Sequence, residues 1–205
     1  MYFDLLTILL SGLIWVGMVT FLRLKKKESL AYLIFWTIFY VYLVKVLDYT
    51  LFQYQSLALL KYFTPDLILN GQTAGDSMNL IPLITLTSQD LETSLLNILL
   101  LIPFGFGLPF ITNFRMKKTV VMGALFSIFI ELMQLITGYM AKITFRIADI
   151  NDVIFNKAGV AIGYLLFAGF VSIYRHLYDN WEISVNPILR YIAERPQIDE
   201  EQPVS

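Results

Sequence analysis

The chain has 205 residues, of which 57% are hydrophobic and only 15% are charged, and its formal net charge is −1. Soluble domains are nearer 45–50% apolar and about 25% charged, so this composition excludes most soluble folds. A net charge close to zero argues against nucleic acid as a partner. The absence of cysteine excludes disulfides, thiolate metal sites and cysteine nucleophiles.

Five apolar segments are long enough to cross the hydrocarbon core of a bilayer, which takes about 20 helical residues. The first is not a cleaved signal peptide, because its basic residues follow the apolar run instead of preceding it. The sequence therefore predicts an all-α, multi-pass protein of the cell membrane with about five transmembrane helices, embedded in the lipid bilayer. The predicted spans are residues 2–22, 30–52, 93–112, 119–137 and 152–174.

The basic residues predict the orientation of these spans. Ten of the 15 lysines and arginines lie in the 23–28 loop, in the 113–118 loop or after the fifth span. Because cytoplasmic loops are enriched in lysine and arginine, we expect the amino terminus outside and the carboxyl tail in the cytoplasm. Two outer loops follow, at about 53–92 and 138–151.

The longer outer loop ends in an apolar stretch, residues 78–87, which is too short to span and predicts a re-entrant or interfacial piece. At the other end of the chain, Asn186-Pro187 is typical of a helix start. It predicts an interfacial helix, with a frayed tail as the alternative. We divide the chain into a transmembrane domain, 1–176, and a cytoplasmic tail, 177–205.

Polar residues inside the spans are the informative ones, since a charge near the centre of a span costs about 2.5–3.5 kcal/mol. Read in the direction in which each span runs, spans two to five all bring polar groups to the outer side. Lys45 and Asp48 lie near the outer end of span two. The sequence predicts a ligand-binding cluster there, formed by Asn97, Glu131, Gln134, Arg146, Asp149, Asp152 and Asn156.

Helical spacing supports this cluster. Glu131 and Gln134 are three residues apart and share one face, and the polar residues that begin span five follow at intervals of three and four. Gly159 and Gly163 form a small-xxx-small pattern that allows close helix approach. Span three contains two prolines and two glycines between residues 103 and 109, which predict a kinked or broken helix.

Each candidate also has a purely structural interpretation, which stays open. Asp149 and Asp152, with the asparagine between them, could cap the amino end of span five. Arg146 could anchor the chain at the interface, and Lys45 could extend its ammonium group to the headgroups. Amides in spans three and four could link helices by hydrogen bonds, and Glu131 could form a structural ion pair.

The residue types allow either catalysis or binding. An enzyme would use Glu131 as base, with Asp149 and Asp152 as acid or metal ligands. A binding site would use Arg146 for a phosphate or carboxylate and the amides for peptide or sugar groups. No phosphate loop, nucleophile elbow or histidine-based metal motif is present, and His176 lies on the cytoplasmic side, so no cofactor is predicted.

An ordered set of motifs resembles the VanZ-like membrane proteins over about residues 30–170. The resemblance implies a cell-envelope role, because that family is named for a protein associated with low-level resistance to the antibiotic teicoplanin, encoded beside vancomycin-resistance genes. It implies no particular reaction. The motifs are Asn79-Leu80-Ile81-Pro82, the run from Asn97 to Phe106, Glu131-x-x-Gln134, and Arg146-x-x-Asp149-x-x-Asp152-Val153-Ile154-x-Asn156-x-x-Gly159-x-x-x-Gly163-Tyr164.

Three functional hypotheses follow. The first is a non-enzymatic protein that binds a glycopeptide, a peptidoglycan precursor or a lipid headgroup in an outer-leaflet polar pocket, linked to teicoplanin resistance. The second is a carboxylate- or metal-dependent membrane enzyme acting on a lipid-linked envelope substrate. The third is a helical scaffold for partner membrane proteins, in which the face carrying Gly159 and Gly163 matters and the polar cluster does not.

Overall fold

The computed structural model describes residues 5–52, 63, 72–73, 78–79, 88–141, 143–144, 148–180 and 186–195. Arg146 and the predicted re-entrant residues 80–87 lie outside the described part of the chain. Six α-helices account for most of the rest, and a π-helical turn, Asp48–Phe52, follows the second. The helices are α1 Leu5–Leu24, α2 Leu30–Leu47, α3 Ser88–Ile111, α4 Met116–Ala141, α5 Ile150–Asn180 and α6 Pro187–Ala193.

Four segments are long and apolar enough to cross a membrane, which confirms an all-α, multi-pass membrane protein. Their outward-facing side chains are apolar, as a lipid environment requires. The apolar part of α1, Ile8–Leu24, is shorter than these four. The four candidate spans are Leu30–Leu51, Glu92–Ile111, Met116–Tyr139 and Ile150–Tyr178.

Helix α1 packs on α2. The Trp15 indole N–H donates to the Thr37 hydroxyl at 3.1 Å, and the Tyr40 hydroxyl donates to the Ser11 carbonyl at 2.7 Å. Helix α2 itself begins at an N-cap, because the Ser29 hydroxyl accepts from the Tyr32 N–H at 3.1 Å. These contacts hold α1 at the edge of the bundle, with most of its apolar side chains exposed.

Helices α3 and α5 form the central contact of the bundle, and glycines make it. A Cβ atom at Gly159 would lie 2.2 Å from the Ile98 carbonyl oxygen, and one at Gly163 would lie 2.0 Å from that of Ile102. From the other side, a Cβ atom at Gly105 would lie 2.0 Å from the Val160 carbonyl oxygen. The two backbones therefore touch, as the small-xxx-small pattern predicts.

Helix α3 continues through both Pro103 and Pro109, so of the kinked or broken helix predicted for span three, the break does not occur. A proline removes one backbone donor, and neighbouring helices commonly compensate for it in membranes. Pro103 leaves the Leu99 carbonyl without its helical donor, and in the same turn the Tyr42 hydroxyl of α2 donates to the Leu100 carbonyl at 2.8 Å. Close packing against α5 along the same stretch also holds the helix together.

Two short strand pairs connect the long loop to the segment between α4 and α5. Strand β1, Gln72–Thr73, pairs antiparallel with β3, Ile143–Thr144. Strand β2, Met78–Asn79, pairs in parallel with β4, Ala148–Asp149. We call this end of the bundle, where α2 and α4 end and α3 and α5 begin, the cluster end, and the opposite end the tail end.

At the tail end, helix α6 is held by backbone carbonyls. The Asn186 side chain caps α6 by accepting from the Ile188 N–H at 2.9 Å, in agreement with the predicted helix start. The Arg175 guanidinium donates to the carbonyls of Ala193 and Arg195 at 2.7–3.0 Å. Tyr191 and Arg195 both donate to the Phe110 carbonyl, in the last turn of α3. Helix α6 and Arg195 thus provide donors to the last turn of α3 and carbonyl acceptors to Arg175 of α5.

An Arg175→Ala substitution is expected to loosen this helix, because the last carbonyls of α6 lose a charged donor worth about 1.5–3 kcal/mol. Hydrogen exchange of the α6 amides should become roughly 10- to 100-fold faster, since each 1.4 kcal/mol is a factor of ten. The matched control is Arg190→Ala, which removes only the exposed pair with Glu194 and should leave exchange unchanged. Equal exchange in the two variants would show that Arg175 does not hold the tail.

Candidate functional site

Four elements bring polar side chains to the cluster end. The π-helical turn ends α2, α3 and α5 start there, and α4 ends there. The structure describes six of the seven residues predicted for ligand binding; the seventh, Arg146, lies outside the described residues. The six, which we call the polar cluster, are Asn97, Glu131, Gln134, Asp149, Asp152 and Asn156.

Asn97 and Asp152 form a direct pair across the α3–α5 contact. The Asn97 side-chain N–H donates to an Asp152 carboxylate oxygen at 2.6 Å, and the two residues are only 6% and 8% exposed. Asp152 also lies in the first turn of α5, where the helix dipole favours a negative charge. A buried carboxylate is thus stabilised by both an amide donor and a helix terminus.

Asp149 and Glu131 connect α4 to the start of α5. The Asp149 carboxylate accepts from the Asn151 N–H at 2.8 Å, which is the geometry of an N-cap on α5. The Asp149 backbone N–H donates to a Glu131 carboxylate oxygen at 3.1 Å. Asp149 therefore caps α5, as one of its interpretations predicted. The Glu131 carboxylate lies beside this cap because it accepts from the Asp149 backbone N–H. Asp152 follows Asp149 by three positions, so their Cα atoms are no more than about 11 Å apart.

Gln134 and Asn156 connect α4 to two other elements. The Gln134 amide N–H donates to the Thr50 carbonyl in the π-helical turn at 3.0 Å. The Asn156 amide N–H donates to the Ser127 hydroxyl at 2.8 Å. Neither Thr50 nor Ser127 was singled out from the sequence. Ser127 could have been predicted from the sequence, because it precedes Glu131 by four residues and so lies on the same face of α4.

Several oxygen atoms in this region are buried without a partner. Within the described residues, no hydrogen bond reaches Oε1 of Gln134, Oδ1 of Asn156 or Oδ1 of Asp48. Asp48 also forms an ion pair with the half-exposed Lys45 at 3.8 Å. Because buried polar atoms are normally satisfied, these acceptors are the atoms that could receive a donor from a ligand or water.

Two basic residues of α5, Lys157 and His176, are not part of the polar cluster. Lys157 is exposed, beside the buried Asn156, and His176 is exposed on the last turns of α5, toward the tail end. In the part of the chain that the structure describes, no three histidine or acidic side chains come together in a way that could hold a metal ion. The cluster thus offers hydrogen-bond acceptors and carboxylates.

The comparisons with known proteins agree with this architecture. The family model described as VanZ/LLP1 matches residues 29–173, more than two thirds of the chain. The match runs from the N-cap of α2 into the last turns of α5, and so includes the six residues of the polar cluster. No curated protein and no solved structure matches the chain at a significant level.

Proposed function

This chain belongs to the VanZ/LLP1 family, and we propose that it binds a polar cell-envelope ligand through the polar cluster. The orientation predicted from the basic loops puts the cluster in the outer leaflet. Glycopeptides, peptidoglycan precursors and lipid headgroups are the ligands that reach such a site from the envelope. The proposed role links ligand capture to glycopeptide (teicoplanin) resistance.

One observation carries the proposal: the unsatisfied atoms at the cluster end are acceptors. The free oxygens of Gln134 and Asn156, beside the carboxylates of Glu131 and Asp152, favour a ligand that presents N–H and O–H groups. Peptide amides and sugar hydroxyls are such groups, and peptidoglycan precursors and glycopeptides carry both. A ligand lacking donors would leave these buried acceptors unpaired, at a cost of about 1–3 kcal/mol each.

Binding fits the geometry better than catalysis, because the carboxylates already have structural roles. Asp149 caps α5, Asp152 accepts from Asn97, and Glu131 accepts from a backbone N–H. A catalytic base must be within hydrogen-bond reach of a substrate proton. An enzyme that uses the Glu131 carboxylate as base stays the alternative proposal.

The test is Glu131→Gln, which keeps an oxygen that can accept from the Asp149 N–H but removes the charge. We expect binding of labelled teicoplanin or of a lipid-linked precursor to weaken at least about tenfold, since hydrogen bonds to charged groups contribute about 1.5–3 kcal/mol. Teicoplanin susceptibility should rise to that of cells lacking the protein. Both measurements are made at equal membrane abundance.

Glu92→Gln is the matched control for Glu131→Gln, because Glu92 is exposed near the start of α3 at the same end of the bundle. It should bind ligand and protect cells like the parent. If Glu131→Gln also equals the parent, the polar cluster is not the binding site. Lipid analysis of cells with and without the protein tests the enzyme: a substrate that accumulates without the protein would favour catalysis.

The scaffold hypothesis relied on the face that carries Gly159 and Gly163. That face is occupied by the backbone of α3 within the same chain. A partner membrane protein would therefore have to dock on another surface, and the glycine pattern is accounted for by internal packing.

A further inference from the structure

The bundle-facing side of α4 is unusual for a membrane helix because almost none of it is apolar. Its buried positions recur every three or four residues along the whole helix, as expected for one face. Within the described residues of α4, Ile130 is the one buried position with an apolar side chain larger than glycine. The buried positions are Thr119, Gly123, Ser127, Ile130, Gln134, Thr137 and Gly138.

This face runs antiparallel to α5 in a constant register. Ser127 bonds to Asn156, and a Cβ atom at Gly123, one turn toward the tail end, would lie 2.4 Å from the Val160 side chain. One further turn in the same direction brings Thr119 level with Tyr164, because antiparallel helices advance in equal steps. A turn in the opposite direction leads to Glu131 and Asp152. Polar groups thus face each other along most of the α4–α5 contact.

Two of these groups are buried and have no hydrogen-bond partner among the described residues. They are Oδ1 of Asn156 and Oγ1 of Thr119, whose residues are 3% and 0% exposed. Helix packing alone does not explain them, since buried polar atoms are normally paired with protein or water. They lie on either side of Val160, one toward the cluster end and one toward the tail end.

Val160 is the apolar residue that separates the two polar halves. It is fully buried, its side chain fills the space left by Gly123, and its backbone touches Gly105 of α3. Beyond it, the buried Tyr164 lies close to the Met116 backbone at the start of α4 and to Arg115. The polar groups therefore continue to the tail end.

We propose that the α4–α5 contact is a transmembrane proton pathway, held closed in this structure by Val160. Protons enter at the carboxylates of Glu131 and Asp152 and pass along the Ser127 hydroxyl, which the Asn156 amide holds in position. When Val160 moves aside, water bridges to Thr119 and Tyr164, from which protons leave at the tail end. Carboxylates and hydroxyls in series are the groups of which intramembrane proton relays are built.

The tightness of the contact favours protons over larger cargo. At Gly123 there is no room for even one additional methyl carbon, so neither a lipid headgroup nor a hydrated ion passes without separating the helices. A proton needs only hydrogen-bonded groups and about three waters in place of the Val160 side chain, since each O–H···O step covers about 2.8 Å. The distance to be bridged, from Ser127 to Thr119, is about 12 Å at 1.5 Å per residue. This pathway does not depend on which ligand the polar cluster binds.

The experiment measures proton uptake into liposomes that contain the full-length protein, an internal pH-sensitive dye, and a valinomycin-induced potassium diffusion potential. Val160→Thr keeps nearly the same shape and places a hydroxyl in the gap between Ser127 and Thr119. We expect proton flux at least about tenfold above the parent, which corresponds to about 1.4 kcal/mol off the barrier.

Val171→Thr is the matched control, because Val171 lies on the same helix and is equally buried, at 1% exposure against 0%. It belongs to the apolar cluster around Phe110 and Phe167, away from the polar face of α4. Its flux should equal that of the parent. Adding Ser127→Ala to Val160→Thr should return the flux to the parental value, because the chain of hydroxyls is broken again.

A second opening variant, Val160→Ala, makes room for water instead of supplying a hydroxyl, and its flux should also rise. This variant decides the question if Val160→Thr does not reach the membrane. Flux through a folded Val160 variant that equals the flux through Val171→Thr overturns the pathway. An increase that persists after Ser127→Ala is added also overturns it, because the leak would then bypass the polar face.

Discussion

A Gly163→Ala variant is expected to lose about 3 kcal/mol of the free energy of unfolding, the upper end of the usual cost of overpacking. The added carbon would lie 2.0 Å from the Ile102 carbonyl oxygen and 2.9 Å from the Phe106 backbone nitrogen. Both obstacles are backbone atoms, so no side-chain rotation relieves the clash. Helices α3 and α5 must separate, and the contacts along their shared face weaken together.

Gly169→Ala provides the matched control on the same helix. No atom lies within 4 Å of a Cβ at Gly169, which faces outward. This variant should be neutral or more stable by up to about 1 kcal/mol, because alanine is the better helix former. Unfolding in mixed detergent micelles at increasing SDS, followed by helical circular dichroism, compares the two. If both variants unfold at the same SDS fraction, the α3–α5 backbone contact does not carry the stability assigned to it.

The transmembrane architecture was predictable because hydrophobic length alone determines it. The contact between Gly159 and α3 was also within reach, since a small-xxx-small pattern has one main use in a membrane. Pro103 and Pro109 predicted a kinked or broken helix, and the helix is not broken at either residue. A proline weakens a helix locally, but here the helix is surrounded by neighbours, and tertiary packing maintains it where the local preference would end it.

The candidate site was predictable in its members and less so in its pairings. Helical spacing shows that Glu131 and Gln134 share a face, but not that Gln134 bonds to the Thr50 carbonyl. Backbone carbonyls carry no residue-specific signal, and this also explains why the docking of α6 on Phe110 could not be foreseen. Strands of two residues, such as Met78–Asn79, are too short to show the alternation by which strands are recognised.

The polar groups of the bundle nevertheless follow one physical rule. Three side-chain bonds join different elements: Asn97–Asp152 joins α3 to α5, Ser127–Asn156 joins α4 to α5, and Gln134 joins α4 to the π-helical turn. In a bilayer such bonds favour one arrangement of helices, because a sliding helix would leave polar groups unpaired in hydrocarbon. The same groups therefore fix the bundle and form the surface proposed for ligand binding and proton transfer.

An Asn97→Leu variant is expected to be less stable by about 2–3 kcal/mol, although leucine is apolar and forms helices well. On hydrophobic transfer alone, this change inside a membrane helix would be favourable. The loss is expected because the buried Asp152 carboxylate gives up the 2.6 Å bond from the Asn97 amide, and hydrogen bonds to charged groups contribute about 1.5–3 kcal/mol. The same SDS titration measures it.

The double variant Asn97→Leu/Asp152→Leu separates the loss of the pair from a failure of leucine to fit. Removing both partners of a buried polar pair costs less than removing one, because no buried carboxylate then lacks its amide donor. The double variant should therefore be more stable than Asn97→Leu alone, which is a sign reversal that a simple packing defect cannot produce. If the two substitutions instead add, the carboxylate does not depend on Asn97. The Asn97–Asp152 bond would then contribute nothing to the free energy of unfolding. The Asp152 carboxylate would instead be stabilised by the helix dipole in the first turn of α5.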